Sequence, residues 1–259
     1  MITSTANVKV KELLQLQKKA KLRNQEKVVI VEGLRMFQEI PKEGLKRVYF
    51  SESFYNRKKE ELKLEQYSYE LLSDTVFAYV SDTKTPQGVL CIVSQPEYQL
   101  KAVIEASQPH ILVLDNLQDP GNLGTILRTA EGAGVTGIIM SRDCVDIFNP
   151  KVIRSTMGSI YRIPFLYVDD LVQAITQMKK QGIRTFAAHL QGENNYDEAD
   201  YRRACAFLIG NEGNGLRGEI AEQADEWIQI PMQGQVESLN AAIAASILMF
   251  EAARQRRRQ

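Results

Sequence analysis

The chain has 259 residues, 44% of them hydrophobic and 25% charged, and its 32 Lys and Arg balance 32 Asp and Glu to a formal net charge of zero. That is the make-up of a globular protein long enough for two domains, and it excludes a uniformly basic nucleic-acid coat. No apolar run approaches the roughly 18–20 residues of a membrane span, and the early lysines precede no apolar signal-peptide core. Cysteines Cys91, Cys144 and Cys205 are scattered and odd in number, and the only histidines are His110 and His189. The expectation is free thiols in a reducing cytoplasm, with no metal site and no membrane partner.

In chain order, residues 1–7 carry no pattern and are expected to fray. Residues 8–24 place Val10, Leu13, Leu14, Leu16 and Leu22 at helical spacing, which predicts one amphipathic helix with a basic outer face. Residues 1–27 carry Lys9, Lys11, Lys18, Lys19, Lys21, Arg23 and Lys27 against Glu12 and Glu26, and the C-terminus carries Arg254, Arg256, Arg257 and Arg258. These basic ends are either phosphate-contacting surfaces or solubilising charge. If the former, deletion of residues 1–25 weakens binding of a phosphate-bearing partner. Strands are expected at 27–31, 47–51, 69–72 and 89–93, with helices at 34–40 and after Ser73 and a charged helix or exposed segment at 56–66. This predicts a small α/β domain over residues 1–95, followed by a linker at 96–108.

A second alternation fills residues 109–259. Strands are predicted at 111–114, 137–140, 163–167, 183–188, 206–209 and 227–230, and helices at 122–133, 150–158, 169–181, 216–223 and 239–254. Most strands are continuous apolar runs, as in parallel sheets buried on both faces. Ligands of such sheets bind beyond the carboxyl ends of the strands.

Three motifs sit at those ends. Asn122-Leu123-Gly124-Thr125-Ile126-Leu127-Arg128 opens a helix after a Pro-Gly turn. Asn122 is either that helix's N-cap or a functional amide. Arg128 either faces solvent or presents its guanidinium fork to an anion. Gly210-Asn211-Glu212-Gly213-Asn214-Gly215-Leu216 packs three glycines into six residues, so something can approach the backbone closely, and Glu212 is either a turn residue or an anchor for a neighbouring loop. Ile230-Pro231-Met232 through Glu237-Ser238-Leu239-Asn240 ends a strand and opens the last helix, with Ser238 suited to cap it. No G-x-G-x-x-G opens a helix directly after a strand, and a phosphate loop and a nucleophile elbow are missing, which argues against an oxidoreductase, an NTPase and a serine hydrolase.

Together the three blocks resemble those of the SpoU/TrmH family of RNA 2′-O-ribose methyltransferases, within the SPOUT superfamily. The front part is similar, more loosely, to the substrate-binding α/β module such enzymes carry, through Val28-Val29-Ile30-Val31-Glu32-Gly33-Leu34-Arg35 and Thr85-Pro86-Gln87-Gly88-Val89. The resemblance implies a fold and a chemistry. The fold would be α/β, a SPOUT parallel sheet with a deep trefoil knot, a rare exception to unknotted topology, plus the smaller N-terminal α/β domain. S-adenosylmethionine would be held by Ala188, His189, Leu190, Gly210, Asn211, Gly213, Ile230, Met232, Ser238 and Leu239. Arg128, Asn122, Glu212, Ser238 and Asn240 would form the catalytic set, with Arg128 leading. The partners implied are RNA, ribosomal before transfer RNA, and a second copy of the chain through the catalytic domain. A catalytically silent RNA-binding or assembly factor is the alternative reading.

Overall fold

The computed structural model describes residues 1–257, so Arg258 of the basic C-terminus lies outside the described residues. The chain divides into two compact units, residues 1–96 with 146–161, and residues 97–145 with 162–257. Residues 146–161, which the sequence reading carries with the C-terminal domain, group with the first unit.

The first unit runs α1 (Val8–Lys18), α2 (Ala20–Glu26), β1 (Val28–Glu32), α3 (Leu34–Glu39), β2 (Leu45–Ser51), α4 (Glu52–Lys58), β3 (Tyr69–Leu72), α5 (Asp74–Val80) and β4 (Val89–Ser94). Its sheet has the order β1-β4-β2-β3, with β4 antiparallel to both neighbours and β2 parallel to β3. The first residues do not fray. Ile2 donates its N–H to Leu71 O at 2.7 Å, its carbonyl accepts from Ser73 N at 3.0 Å, and its side chain joins the core.

The predicted helix over 8–24 is broken, because Lys19 is extended. The break leaves carbonyls at the end of α1 without helical partners. Arg23 takes two of them, Leu16 O at 2.8 Å and Gln17 O at 2.9 Å, and pairs with Asp146 at 2.5 Å. The apolar face of α1 works as expected, with Val10, Leu13 and Leu16 fully buried against β1, β2 and β4. Lys9 pairs with Glu70, whereas Lys11, Lys18, Lys19 and Lys21 are exposed and form no ion pair with any described residue. The charged stretch near 56–66 is helical earlier than predicted, because Ser51 accepts from Phe54 N at 3.2 Å and starts α4.

The second unit contains α6 (Leu100–Ile104), β5 (His110–Leu114), α7 (Pro120–Gly132) and β6 (Gly137–Ser141). After α8 (Pro150–Thr156), which belongs to the first unit, come β7 (Phe165–Val168), α9 (Leu171–Lys180), β8 (Arg184–Ala188), β9 (Asn194–Asn195), β10 (Cys205–Ile209), α10 (Gly218–Ala221), β11 (Glu226–Gln229) and α11 (Ala241–Arg256). The sheet order is β7-β6-β5-β10-β8-β11-β9, and every pair in it is parallel. Strands β5, β6 and β10 are buried along their whole length, which explains their uninterrupted apolar sequence. Part of the predicted linker is core instead: α6 buries Val103 and Ile104. The three cysteines are free and buried, and among the described residues no helix is long and apolar enough to cross a membrane.

His110, the first residue of β5, is fully buried edge-on to Phe207, and neither ring nitrogen has a hydrogen-bond partner among the described residues. Burial, helped by the charge of Arg256, presses its pKa down to about 3. The folded chain therefore keeps this ring neutral while the unfolded chain takes up a proton below its ordinary pKa of roughly 6.5. Stability is expected to fall as pH drops from about 6.5 towards about 3, by at most about 1.4 kcal/mol per pH unit from this group. Urea unfolding across that range should show a flatter acid limb for His110→Leu than for the wild type; identical limbs would remove His110 from the account.

Candidate active site

Helix α7 starts two residues before the position read from the sequence. Asp119 caps it, accepting from Asn122 N at 2.7 Å, and Pro120 occupies the first turn. Asn122 is therefore not the cap, and its side-chain amide is free for other work. Its Nδ2 donates to Glu212 Oε1 at 2.9 Å, and its Oδ1 accepts from Asn240 Nδ2 at 2.9 Å. Asn240, not Ser238, caps α11: its Oδ1 accepts from Ala242 N at 2.9 Å and Ile243 N at 3.3 Å. One residue from each of the three motifs thus joins a single chain of hydrogen bonds.

Glu212 closes the network. Its carboxylate also accepts from Gln118 N at 3.2 Å and Asp119 N at 3.0 Å. Partial burial is the largest influence on its pKa and acts to raise it, but the Asn122 amide and the backbone N–H groups together outweigh it, and the net direction is down. The stability this carboxylate contributes is present above its ordinary pKa and is lost as pH falls through the lowered folded value. Glu212→Gln puts an amide nitrogen where an acceptor stood and leaves one of the three donors unpaired, at a cost of about 1–3 kcal/mol. A loosened junction between the turn after β5 and the glycine loop is expected, read as a lower melting temperature for Glu212→Gln, and an unchanged one would limit Glu212 to holding its own turn.

The glycine loop is built for close backbone contact. Asn211 and Gly215 exchange two backbone hydrogen bonds at 2.9 Å, and Asn211 Oδ1 accepts from Gly213 N at 2.9 Å and Asn214 N at 3.2 Å. A Cβ on Gly210 would lie 2.1 Å from the backbone of Gly215 and Leu216. Asn211 Nδ2 donates to Asn116 O at 2.8 Å, which ties this loop to the turn after β5. A second tie escaped sequence reasoning. Asp115, fully buried just after β5, accepts from Arg217 N at 2.9 Å and Nε at 2.8 Å, and pairs with Arg217 Nη2. An acidic residue placed directly after an apolar strand was the available signal, since a buried charge requires a partner.

These loops enclose a cleft of about 730 Å³ beyond the carboxyl ends of β8, β10 and β11. The structure brings the ten residues expected to hold a cofactor to this one place. Ala188, His189 and Leu190 form one wall, and Gly210, Asn211 and Gly213 a second. Ile230, Met232, Ser238 and Leu239 come from the third loop. Leu216, Ala244 and Leu248 add apolar surface that was not anticipated. The backbone N–H groups of Leu190, Ile230, Met232 and Leu239 donate to no described residue. Arg128 does not line the cleft. It stands exposed on α7, and its side chain makes no hydrogen bond or ion pair with a described residue.

An all-parallel sheet with a glycine-walled cleft at its carboxyl edge is the setting of a nucleotide-like ligand. The class is set by the family models. That of the SpoU rRNA methylase family matches residues 109–250, and that of the MRM3-like substrate binding domain matches residues 7–91. The chain belongs to the SpoU rRNA methylase family. It is similar to the 23S rRNA (guanosine(2553)-2′-O)-methyltransferase RlmP of Bacillus subtilis, with 32% identity over 96% of this chain and 97% of that protein. It is also similar to the 23S rRNA (guanosine-2′-O-)-methyltransferase RlmB of Xanthomonas campestris, with 36% identity over 62% of this chain and 65% of that one. Among solved structures, the AdoMet-bound rRNA methyltransferase of Sinorhizobium meliloti superposes with a TM-score of 0.84 at 29% identity, covering 98% of this chain and 97% of that one.

Proposed function

We propose that the protein transfers a methyl group from S-adenosylmethionine to a ribose 2′-hydroxyl of RNA, ribosomal RNA before transfer RNA. The observation that carries this reading is the hydrogen-bonded link from Glu212 through Asn122 to Asn240 at the edge of the cleft. The cleft suits the cofactor: it has the volume of a small-molecule site, apolar side chains for a ring, and main-chain N–H groups free for an adenine edge. When bound, S-adenosylmethionine supplies an already activated methyl group.

The chain's own residues then have to align the ribose and manage its proton. Arg128 holds an RNA phosphate and stabilises charge growing on the 2′-oxygen. With an ordinary pKa above roughly 12, a guanidinium is a poor base, so its part is electrostatic. Asn122 orients the ribose side of the site while Glu212 and Asn240 hold its amide. Ser238, exposed beside the cleft, contributes a hydroxyl at the cofactor end. Calorimetric titration with S-adenosylmethionine, followed by mapping of 2′-O-methyl positions in total RNA with and without the gene, tests the reading. Cofactor binding without any methylated position would favour the catalytically silent alternative.

The remaining parts of the reading follow the family. The loops of the second unit are arranged as a deep trefoil knot, which the placement of β10 between β5 and β8 supports. The chain works as a homodimer in the cytoplasm. An apolar face on α11 favours association, since Ile243 and Phe250 lie seven residues apart and are both exposed. Residues 1–95 carry the RNA, and the unit of residues 97–145 with 162–257 holds the chemistry. Deleting residues 1–25 is a poor test of RNA binding, because it removes Val10, Leu13 and Leu16 from a core. The triple change Lys18→Gln, Lys19→Gln and Lys21→Gln removes charge alone. It is expected to weaken RNA binding and to reduce the salt slope by about 2 if all three contact phosphate. An unchanged slope would return these lysines to a solubilising role.

A further inference from the structure

The charged groups on the cleft wall are unbalanced. Glu212 and Glu237 line it, and among the described residues no Lys or Arg does. The His189 ring there lies 4.2 Å from the Trp227 ring, centre to centre, and accepts from Gln191 N at Nδ1. Glu212 is committed to Gln118, Asp119 and Asn122. Glu237 is exposed, stands next to Ser238 in the loop between β11 and α11, and makes no hydrogen bond or ion pair with any described residue. One uncommitted negative charge therefore faces the cleft.

The proposed reaction changes the charge of what the cleft holds. S-adenosylmethionine carries a carboxylate, an ammonium and a sulfonium at neutral pH, for a net charge of about +1. In the transfer the C–S bond breaks, its electron pair stays on sulfur, the methyl bonds to the ribose oxygen, and the hydroxyl proton passes to solvent. The S-adenosylhomocysteine left behind is a neutral zwitterion. We propose that Glu237 is a charge-selecting residue, whose carboxylate favours the sulfonium donor over the thioether product and so helps the cleft exchange one for the other after each turnover. This inference rests on the cofactor reading above. An exposed charge acts through much water, so the preference it adds is modest, about three- to tenfold.

The test is calorimetric titration of the full chain and of Glu237→Gln with three probes: S-adenosylmethionine, S-adenosylhomocysteine, and sinefungin, which has a protonated amine in place of the methylated sulfonium. The expected result is a roughly three- to tenfold weaker affinity of the variant for the two cationic probes, with the neutral product bound as before. Equal weakening of all three would mean that Glu237 recognises the shared ammonium or merely shapes the loop, and would overturn the inference, as would no change at all. Failure of the wild type to bind S-adenosylmethionine would strike the cofactor reading itself. Normal wild-type binding and transfer with an unaltered variant would remove Glu237 alone.

Discussion

Replacing Arg128 by alanine is expected to slow single-turnover methyl transfer by about a hundredfold or more while S-adenosylmethionine still binds with its wild-type affinity. The separation of the two effects follows from position. Arg128 is exposed and outside the cleft lining, so nothing that would hold the cofactor is removed. It lies six residues beyond Asn122 on α7, roughly 9 Å along the helix axis. No described residue pairs with it, so its charge is free for an incoming phosphate and a developing oxyanion. Arg128→Lys keeps the charge but loses the planar fork, and should recover only part of the rate. Parallel loss of cofactor binding in Arg128→Ala would show that the arginine supports the fold of the cleft, and the electrostatic role would fall.

The second large effect is expected at Gly210. An alanine Cβ there would sit 2.1 Å from the carbonyl carbon of Gly215 and from Leu216 N, and both are backbone atoms that cannot swing away. The loop from Gly210 to Leu216 has to open, and the Asn211–Gly215 hydrogen bonds and the second wall of the cleft open with it. Gly210→Ala should therefore lose S-adenosylmethionine binding by about a hundredfold or more and lower the melting temperature by several degrees. Gly213→Ala is the comparison within the same loop. Its added Cβ would meet only Asn211 Oδ1, at an ordinary 3.5 Å, so its melting temperature should stay close to that of the wild type. Similar behaviour of the two variants in thermal melts would show that close packing of the loop is not what Gly210 serves.

Much of the second unit was legible because its strands are continuous apolar runs and its helices carry periodic ones. Strands β5, β6 and β10 were read to within a residue at each end. Boundaries were misread where a cap outside the apolar pattern decided the start. Asp119 and Asn240 each hold a helix N-terminus that composition alone offered to Asn122 and Ser238. Residues 1–7 carry no pattern and 96–108 have only modest apolar content, yet Ile2, Val103 and Ile104 are buried, because a single apolar side chain can be recruited by a sheet edge or a helix face far along the chain. The short strand β9 carries only Asn194 and Asn195, and gave no signal.

The sequence by itself determined the alternation of strand and helix, the parallel character of the second sheet, and the three glycine- and asparagine-rich segments at strand ends. These are local properties, since periodicity, glycine and turn residues act over a few positions. Only the tertiary structure decided that Asn122, Glu212 and Asn240 touch, that Asp115 binds Arg217, and that Arg128 stands apart from the cleft. Those facts join residues about 90 to 120 positions apart, and they depend on the order of strands across the sheet, which no short stretch of sequence encodes.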